Sequence, residues 1–405
     1  MLAAFGSYAC MYGFRKPFTA GAYADSAWGG GFKAWLVTAQ VLGYTVSKFV
    51  GIRIIAEMKP ERRAWMFLGL VGMAELALLL FAITPVPYNA AWLFFNGLAL
   101  GMVFGLVLGF LEGRRLTEAF VAGLCASFIL ADGVTKSVGT LLLNHGIPER
   151  WMPFGAGLLF VLPLAGFVWM LRQIPAPSAA DIAARSERSP MTHGDRLAVL
   201  RRHGVGLGLI TLAYLLITVL RSIRADFAPE IWASLGTTGQ PGVFTRSEIW
   251  VALGVVSING LVCLVRDNRR AFFLALFLCM AGLGLVVLSL SALNAVKIAP
   301  FAFMVVFGLG MYVPYVAVHT TIFERFIALT RERANIGYLM YLADAMGYLG
   351  YVAVMLGKRV WRADGDFLGF FTATSWVVVI ASLLAFGCAG WLFARKFPTT
   401  PPKSS

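Results

Sequence analysis

Apolar runs of about membrane-spanning length, separated by short polar turns, fill the chain from residue 2 to residue 394. A helix needs about 20 apolar residues to cross the hydrocarbon core of a bilayer. On that measure the predicted spans are roughly 2–24, 33–56, 64–84, 91–111, 118–143 and 152–172, then 205–232, 247–267, 270–291, 299–323, 333–357 and 367–394. One long polar stretch, "QIPAPSAADIAARSERSPMTHGDRLAVLRRHG" at 173–204, interrupts them. It is rich in Pro, Ala, Ser and Arg, as a linker is. The expected organisation is therefore all-α and polytopic. An N-terminal six-helix bundle (1–172) leads through a linker (173–204) to a C-terminal six-helix bundle (205–396) and a tail (397–405).

The two bundles carry a common spacing. "FLEGRRLTEAFVAGLCASFILADG" places Glu112 twenty residues before Asp132 (132 − 112), and "IFERFIALTRERANIGYLMYLADA" places Glu324 twenty before Asp344 (344 − 324). Both stretches join the fourth to the fifth predicted helix of their half. Twelve helices in two pseudo-symmetric halves with a linker between them is the plan of a major facilitator transporter, whose site lies at mid-depth between the halves.

Composition agrees with this class. Of the 405 residues 59% are hydrophobic and 13% charged, against roughly a quarter charged in soluble domains; the mean hydropathy is +0.77. The formal net charge of +14 belongs to loops on the cytoplasmic side rather than to nucleic-acid binding. "EMKPERR", "EGRR", the linker, "RDNRR", "ERFIALTRER" and "ARKF" fall on one side, which puts both termini in the cytoplasm; "GKRVWRADGD" is the exception. The linker's basic residues are also suited to anionic lipid. Cys10, Cys125, Cys263, Cys279 and Cys388 lie in apolar runs without CxxC spacing, and the histidines at 145, 193, 203 and 319 are scattered. No disulfide framework, metal site or cofactor is expected. The first apolar run has no basic region before it, so it does not read as a signal peptide.

Charges inside the apolar runs carry the chemistry. Placing Arg or Lys at mid-bilayer costs about 2.5–3.5 kcal/mol on insertion scales, so such residues face a cavity or a partner. Arg15 and Arg221 both lie roughly 20 Å or a little more along their spans, in the first helix of each half. Lys48 and Lys136 lie in the second and fifth spans, and Arg224 follows Arg221 by one turn. The carboxylates available are Glu75, Asp132, Asp226 and Asp344. Asp132 and Lys136, four apart, are expected to neutralise each other, and Asp226 to partner Arg221 or Arg224. Arg15 has no carboxylate in its own helix before Asp25. Two guanidinium groups from opposite halves form a fork able to hold a dianion.

These residues resemble a family. "FGSYACMYGFRKPF", "GYTVSKF" and "LRSIRADFAPEIW" are similar to helices 1, 2 and 7 of the organophosphate:phosphate antiporters, the glycerol-3-phosphate transporter branch of the major facilitator superfamily. "YVP" and "GYLG" add Tyr312 and Tyr348 where that family has tyrosines. The resemblance implies that Arg15 and Arg221 clasp phosphate and that Lys48 steers it. It also implies that Tyr8, Tyr12, Tyr44, Tyr312 and Tyr348 hydrogen-bond it or line its path. Lys136 stands where the family has a site histidine, which joins it to the expected substrate-binding set. Thr218 replaces a tyrosine, the loop signature after helix 2 is degraded to "GIRIIAEMKPERRA", and Asp132 and Asp344 are not part of the family pattern.

The function expected is secondary transport of a small anion by alternating access, an organic phosphate exchanged for inorganic phosphate. It would be carried out by a monomer in the bacterial inner membrane, with lipid as its other partner. A proton-coupled carrier acting through Asp132 and Asp344, or a non-transporting sensor with a retained anion site, are the alternatives. An enzyme is the weakest reading, for want of a nucleophile–base constellation. Glu112 and Arg115, with Glu324 and Arg325, sit at cytoplasmic helix ends as gate salt bridges or topology anchors. "GVGLG" at 204–208 has no strand before it and no Lys-Ser/Thr after it, so it reads as helix-packing glycine rather than a phosphate loop.

Overall fold

The structure, a computed structural model, describes residues 1–24, 31–56, 58, 60–111, 117–175, 193–330, 336–360 and 366–397. Every regular element among them is helical. In the first half these are α1 (Leu2–Tyr12), α2 (Phe32–Ala56), α3 (Pro60–Ile83), α4 (Ala90–Leu100), α5 (Val103–Leu111), α6 (Thr117–Asn144) and α7 (Met152–Arg172). The second half contains α8 (His193–Asp226), α9 (Ala228–Ser234), α10 (Gly242–Cys263), α11 (Asn268–Asn294), α12 (Pro300–Ala317), α13 (Phe323–Thr330), α14 (Ile336–Val360) and α15 (Phe367–Lys396). Several of these are consecutive parts of one traverse, so the chain crosses twelve times. Among the described residues eight helical stretches are long and apolar enough to span a membrane by length and composition alone.

The first and seventh spans differ most from expectation. The first does not run as α-helix to residue 24: α1 ends at Tyr12, the backbone turns through Gly13–Lys16, and a 3-10 helix follows at Pro17–Ala20. Pro17 is the cause. Its ring crowds the carbonyl of Gly13, and it has no N–H to offer that carbonyl. The seventh helix starts at His193, inside the stretch expected as linker. Leu197, Val199 and Leu200 keep helical spacing there with no proline to stop them, so the helix extends beyond its apolar core.

The two halves meet along two seams, α2 against α14 and α6 against α10. Close helix approach is fixed by small residues. A Cβ on Gly43 of α2 would lie 2.0 Å from the Phe94 carbonyl oxygen of α4. Gly97 answers it: a Cβ there would lie 2.0 Å from the Gln40 oxygen. Where apolar burial between helices gives little drive, such close van der Waals approach orders the bundle. It sets α2, and with it Gln40, Tyr44 and Lys48, at a fixed depth.

Candidate functional site

Breaking the first helix leaves carbonyls to be satisfied. Gln40 Nε2 donates to the Arg15 carbonyl (2.8 Å) and to Asn96 Oδ1 (2.8 Å). Asn96 Nδ2 donates in turn to the carbonyls of Phe14 (2.9 Å) and Ala74 (3.1 Å). Two buried amides from α2 and α4 thus satisfy the carbonyls of Phe14 and Arg15 where the first helix breaks off. They hold Arg15 in a turn rather than on a helix face.

From there the Arg15 guanidinium stacks 3.9 Å over the Tyr44 ring, with Tyr12 at 5.6 Å. Arg221, from α8, lies 4.6 Å over Tyr315 and 6.0 Å from Phe128, and its Nη2 reaches Tyr348 Oη at 3.5 Å. Tyr44 and Tyr348 face each other across the halves at 5.2 Å. Both arginines are buried, and the Nε of each has no hydrogen-bond partner. They line one cavity with Tyr12, Tyr312, Tyr348 and Tyr351. An adjoining space of about 350 Å³ shares Tyr12, Arg221 and Tyr348 and adds Tyr8, Tyr44, Lys48, His319 and Asp344.

Each other buried lysine or arginine among the described residues has a carboxylate. Lys136 pairs with Asp132 at 2.6 Å, one turn away as the spacing indicates. The remaining pairs are not within one helix. Arg224 bridges to Glu248 of α10 at 2.8 Å and donates to the Met304 carbonyl at 3.0 Å. Asp226 turns away from both arginines of α8: it accepts from Lys16 of the opposite half and from Tyr351 Oη (2.9 Å). The expectation that Asp226 partners Arg221 or Arg224 is therefore corrected. At two and five residues from the arginines, Asp226 points off their face of α8; Arg224 meets Glu248 and the Arg221 side chain turns to Tyr315. Lys48 bridges to Asp344 across the α2–α14 seam. Lys33 also reaches across, to Glu230 at 2.6 Å, and caps the Thr19 carbonyl at 2.6 Å. Glu75 joins none of these pairs and packs against Gly157 of α7.

Of the residues singled out in the sequence, Arg15, Arg221, Lys48, Tyr8, Tyr12, Tyr44, Tyr312 and Tyr348 come together around these two spaces. Asp132 lines the first of them, while Lys136 is turned into its bridge with Asp132. Glu112 and Arg115 lie outside the described residues. Arg325 donates to Asn268 at 2.7 Å within its own half, and Glu324 begins α13 beside it. Gln40, Asn96, Tyr315, Tyr214, Tyr351 and Glu248 were not anticipated. Of these, Glu248 carried a legible signal, a lone carboxylate in an apolar run.

The cross-half bridges lie at two levels along α2. Lys33 starts the helix and Lys48 is roughly 22 Å further along it (15 residues at about 1.5 Å). Gln40 and Tyr44, which touch Arg15, lie between them. The arginine pair thus lies between Lys33–Glu230 and Lys16–Asp226 on the side opposite the linker and Lys48–Asp344 on the linker side.

Among solved structures the fold is similar to a D-xylose–proton symporter (TM-score 0.64, 13% identity, covering 96% of this chain and 95% of that one). It is also similar to a mutant of the nucleoside transporter NupG (TM-score 0.62, 14% identity, 96% and 98% covered). At these identities the likeness is one of fold, the twelve-helix major facilitator architecture. No curated protein matches the sequence. Residues 17–396 match the signature of a family described as "Family of unknown function (DUF5690)". The chain belongs to the DUF5690 family, and its fold is that of the major facilitator transporters.

Proposed function

We propose that the protein is a secondary transporter of a small dianion, an organic phosphate exchanged for inorganic phosphate, with Arg15 and Arg221 as the clasp. One observation carries this reading. Among the described residues seven lysine and arginine side chains are buried; five of them (Lys16, Lys33, Lys48, Lys136, Arg224) each have a carboxylate, while the two arginines facing the central cavity have none there. Arginine cannot shed its proton to escape the cost of burial. A buried charge without a counter-charge costs several kcal/mol, so the fold holds back two units of positive charge for something it does not itself contain. A phosphate monoester supplies two negative charges and acceptor oxygens matched to the guanidinium fork.

The tyrosines support the same reading. Rings beneath both guanidiniums orient them without neutralising them, and Tyr8, Tyr12, Tyr312 and Tyr348 offer hydroxyls along the path. Alternating access follows from the bridges. Opening one side breaks Lys33–Glu230 and Lys16–Asp226, and opening the other breaks Lys48–Asp344. In this reading the linker and both termini face the cytoplasm, the membrane is the bacterial inner membrane, and a monomer suffices. Lys136 stays in its bridge with Asp132 rather than grasping the ligand.

Purified protein in liposomes loaded with inorganic phosphate should exchange it for labelled glycerol-3-phosphate. Arg15→Gln and Arg221→Gln should each abolish that exchange. Phosphate binding without any flux in the wild-type protein would refute transport and leave the sensor reading.

A further inference from the structure

One titratable cluster beside the clasp is not used by it. Asp344, on α14, accepts from the Lys48 ammonium through Oδ2. Its Oδ1 accepts from Tyr214 Oη at 2.5 Å and lies 3.2 Å from His319 Nε2. Tyr214 Oη is itself 2.5 Å from the same Nε2. Around Asp344 stand Lys48 and Tyr44 of α2, Tyr214 and Arg221 of α8, and Cys125 of α6. Tyr315 of α12, His319 and Tyr348 complete the shell. His319 occupies a π-helical turn, Val318–Ile322, placed four residues after Pro314. Such turns in an α-helix frequently mark functional sites.

Hydrogen-bond accounting fixes the histidine's options. Tyr214 spends its one hydrogen on Asp344, so the short contact to Nε2 requires that nitrogen to carry a hydrogen. Nδ1 is then the position where a proton adds, and it is buried with no hydrogen-bond partner. Asp132, the matching aspartate of the first half, has no such freedom: its lysine sits one turn along the same helix and moves with it. Asp344 instead stands between a lysine of one half and a histidine of its own.

We propose that His319, Tyr214 and Asp344 form a proton-binding site that loads the anion site through Lys48, making transport proton-coupled. This rests on the clasp reading and adds to exchange a net, proton-driven uptake of the anion through the same site. One proton from solvent adds to Nδ1 of His319, and the imidazolium takes over Asp344. Lys48 is released from the cross-half bridge and turns to the anion. No other proton leaves. The two arginines with Lys48 and Asp344 sum to +2, and protonation brings the cavity to +3, so proton and anion each favour the other's binding, by reciprocity.

The test uses the full chain in liposomes, with the membrane potential clamped by potassium and valinomycin and labelled inorganic phosphate as the probe. Acidifying the outside by one pH unit should drive uphill phosphate accumulation approaching tenfold, about 1.4 kcal/mol for one proton per anion. His319→Gln should still exchange phosphate at equal pH yet accumulate none, and Tyr214→Phe should weaken accumulation in the same direction. Wild-type accumulation indifferent to the pH gradient, or unaltered in His319→Gln, overturns the proton site and leaves the clasp standing. Absence of phosphate movement in every protein, Arg15→Gln included, overturns both.

Discussion

A lysine and an arginine stand next to each other at positions 15 and 16, both buried, and they face opposite fates. Lys16 meets Asp226 across the halves, whereas Arg15 meets only aromatic rings and its own turn. Their replacement by glutamine should therefore act with opposite sign on stability. Lys16→Gln strands a buried aspartate and should cost about 3–5 kcal/mol. Arg15→Gln and Arg221→Gln remove charges that nothing in the protein balances, and should leave the anion-free protein as stable as wild type or more so. Chemical unfolding in detergent, followed by tryptophan fluorescence, reads the difference directly. A large loss from either arginine would mean that it has a structural partner.

At the scale of elements, the turn after α1 decides where Arg15 points. Asn96 supports that turn from α4 by donating to Phe14 and Ala74. Asn96→Leu removes the side-chain donor to the Phe14 carbonyl and should destabilise the protein by about 1–3 kcal/mol. It should also weaken anion binding although Asn96 touches no anion, an effect that titration calorimetry against phosphate would detect. This level was the least legible in the sequence. The apolar runs gave the twelve traverses because bilayer thickness fixes their length. Arg15 and Arg221 stood out because charge in such runs is costly. Sequence spacing, however, reports only neighbours on one helix, so Lys136–Asp132 was visible while Lys16–Asp226, 210 residues apart, was not. The break in the first span was within reach, since Pro17 directly follows the Arg-Lys pair. Gln40 and Asn96 were hidden because an amide in an apolar helix carries no mark of which carbonyl it serves.

For the whole molecule, cross-half bridges stand at two levels on either side of the central cavity, and the proposed transport cycle opens them one side at a time. Cys125 reports on that opening, being native, buried and in the wall of the space beside Arg221. Lys33→Gln or Glu230→Gln should loosen the side away from the linker and raise alkylation of Cys125 by a membrane-impermeant maleimide. Cys279, buried away from both spaces, should not change; mass spectrometry of the labelled peptides separates the two. Unchanged Cys125 labelling would show that these bridges do not gate the cavity. The account as a whole stands on the anion between the arginines. Its most direct test is thermal unfolding of wild type, Arg15→Gln, Arg221→Gln and Lys16→Gln in detergent, each with and without phosphate, glycerol-3-phosphate, a hexose phosphate, sulfate and a sugar acid. The account predicts that phosphorylated ligands raise the unfolding temperature of wild type but of neither arginine variant, both of which are as stable as wild type without ligand. Stabilisation by no anion, with both arginine variants unfolding as early as Lys16→Gln, would contradict it.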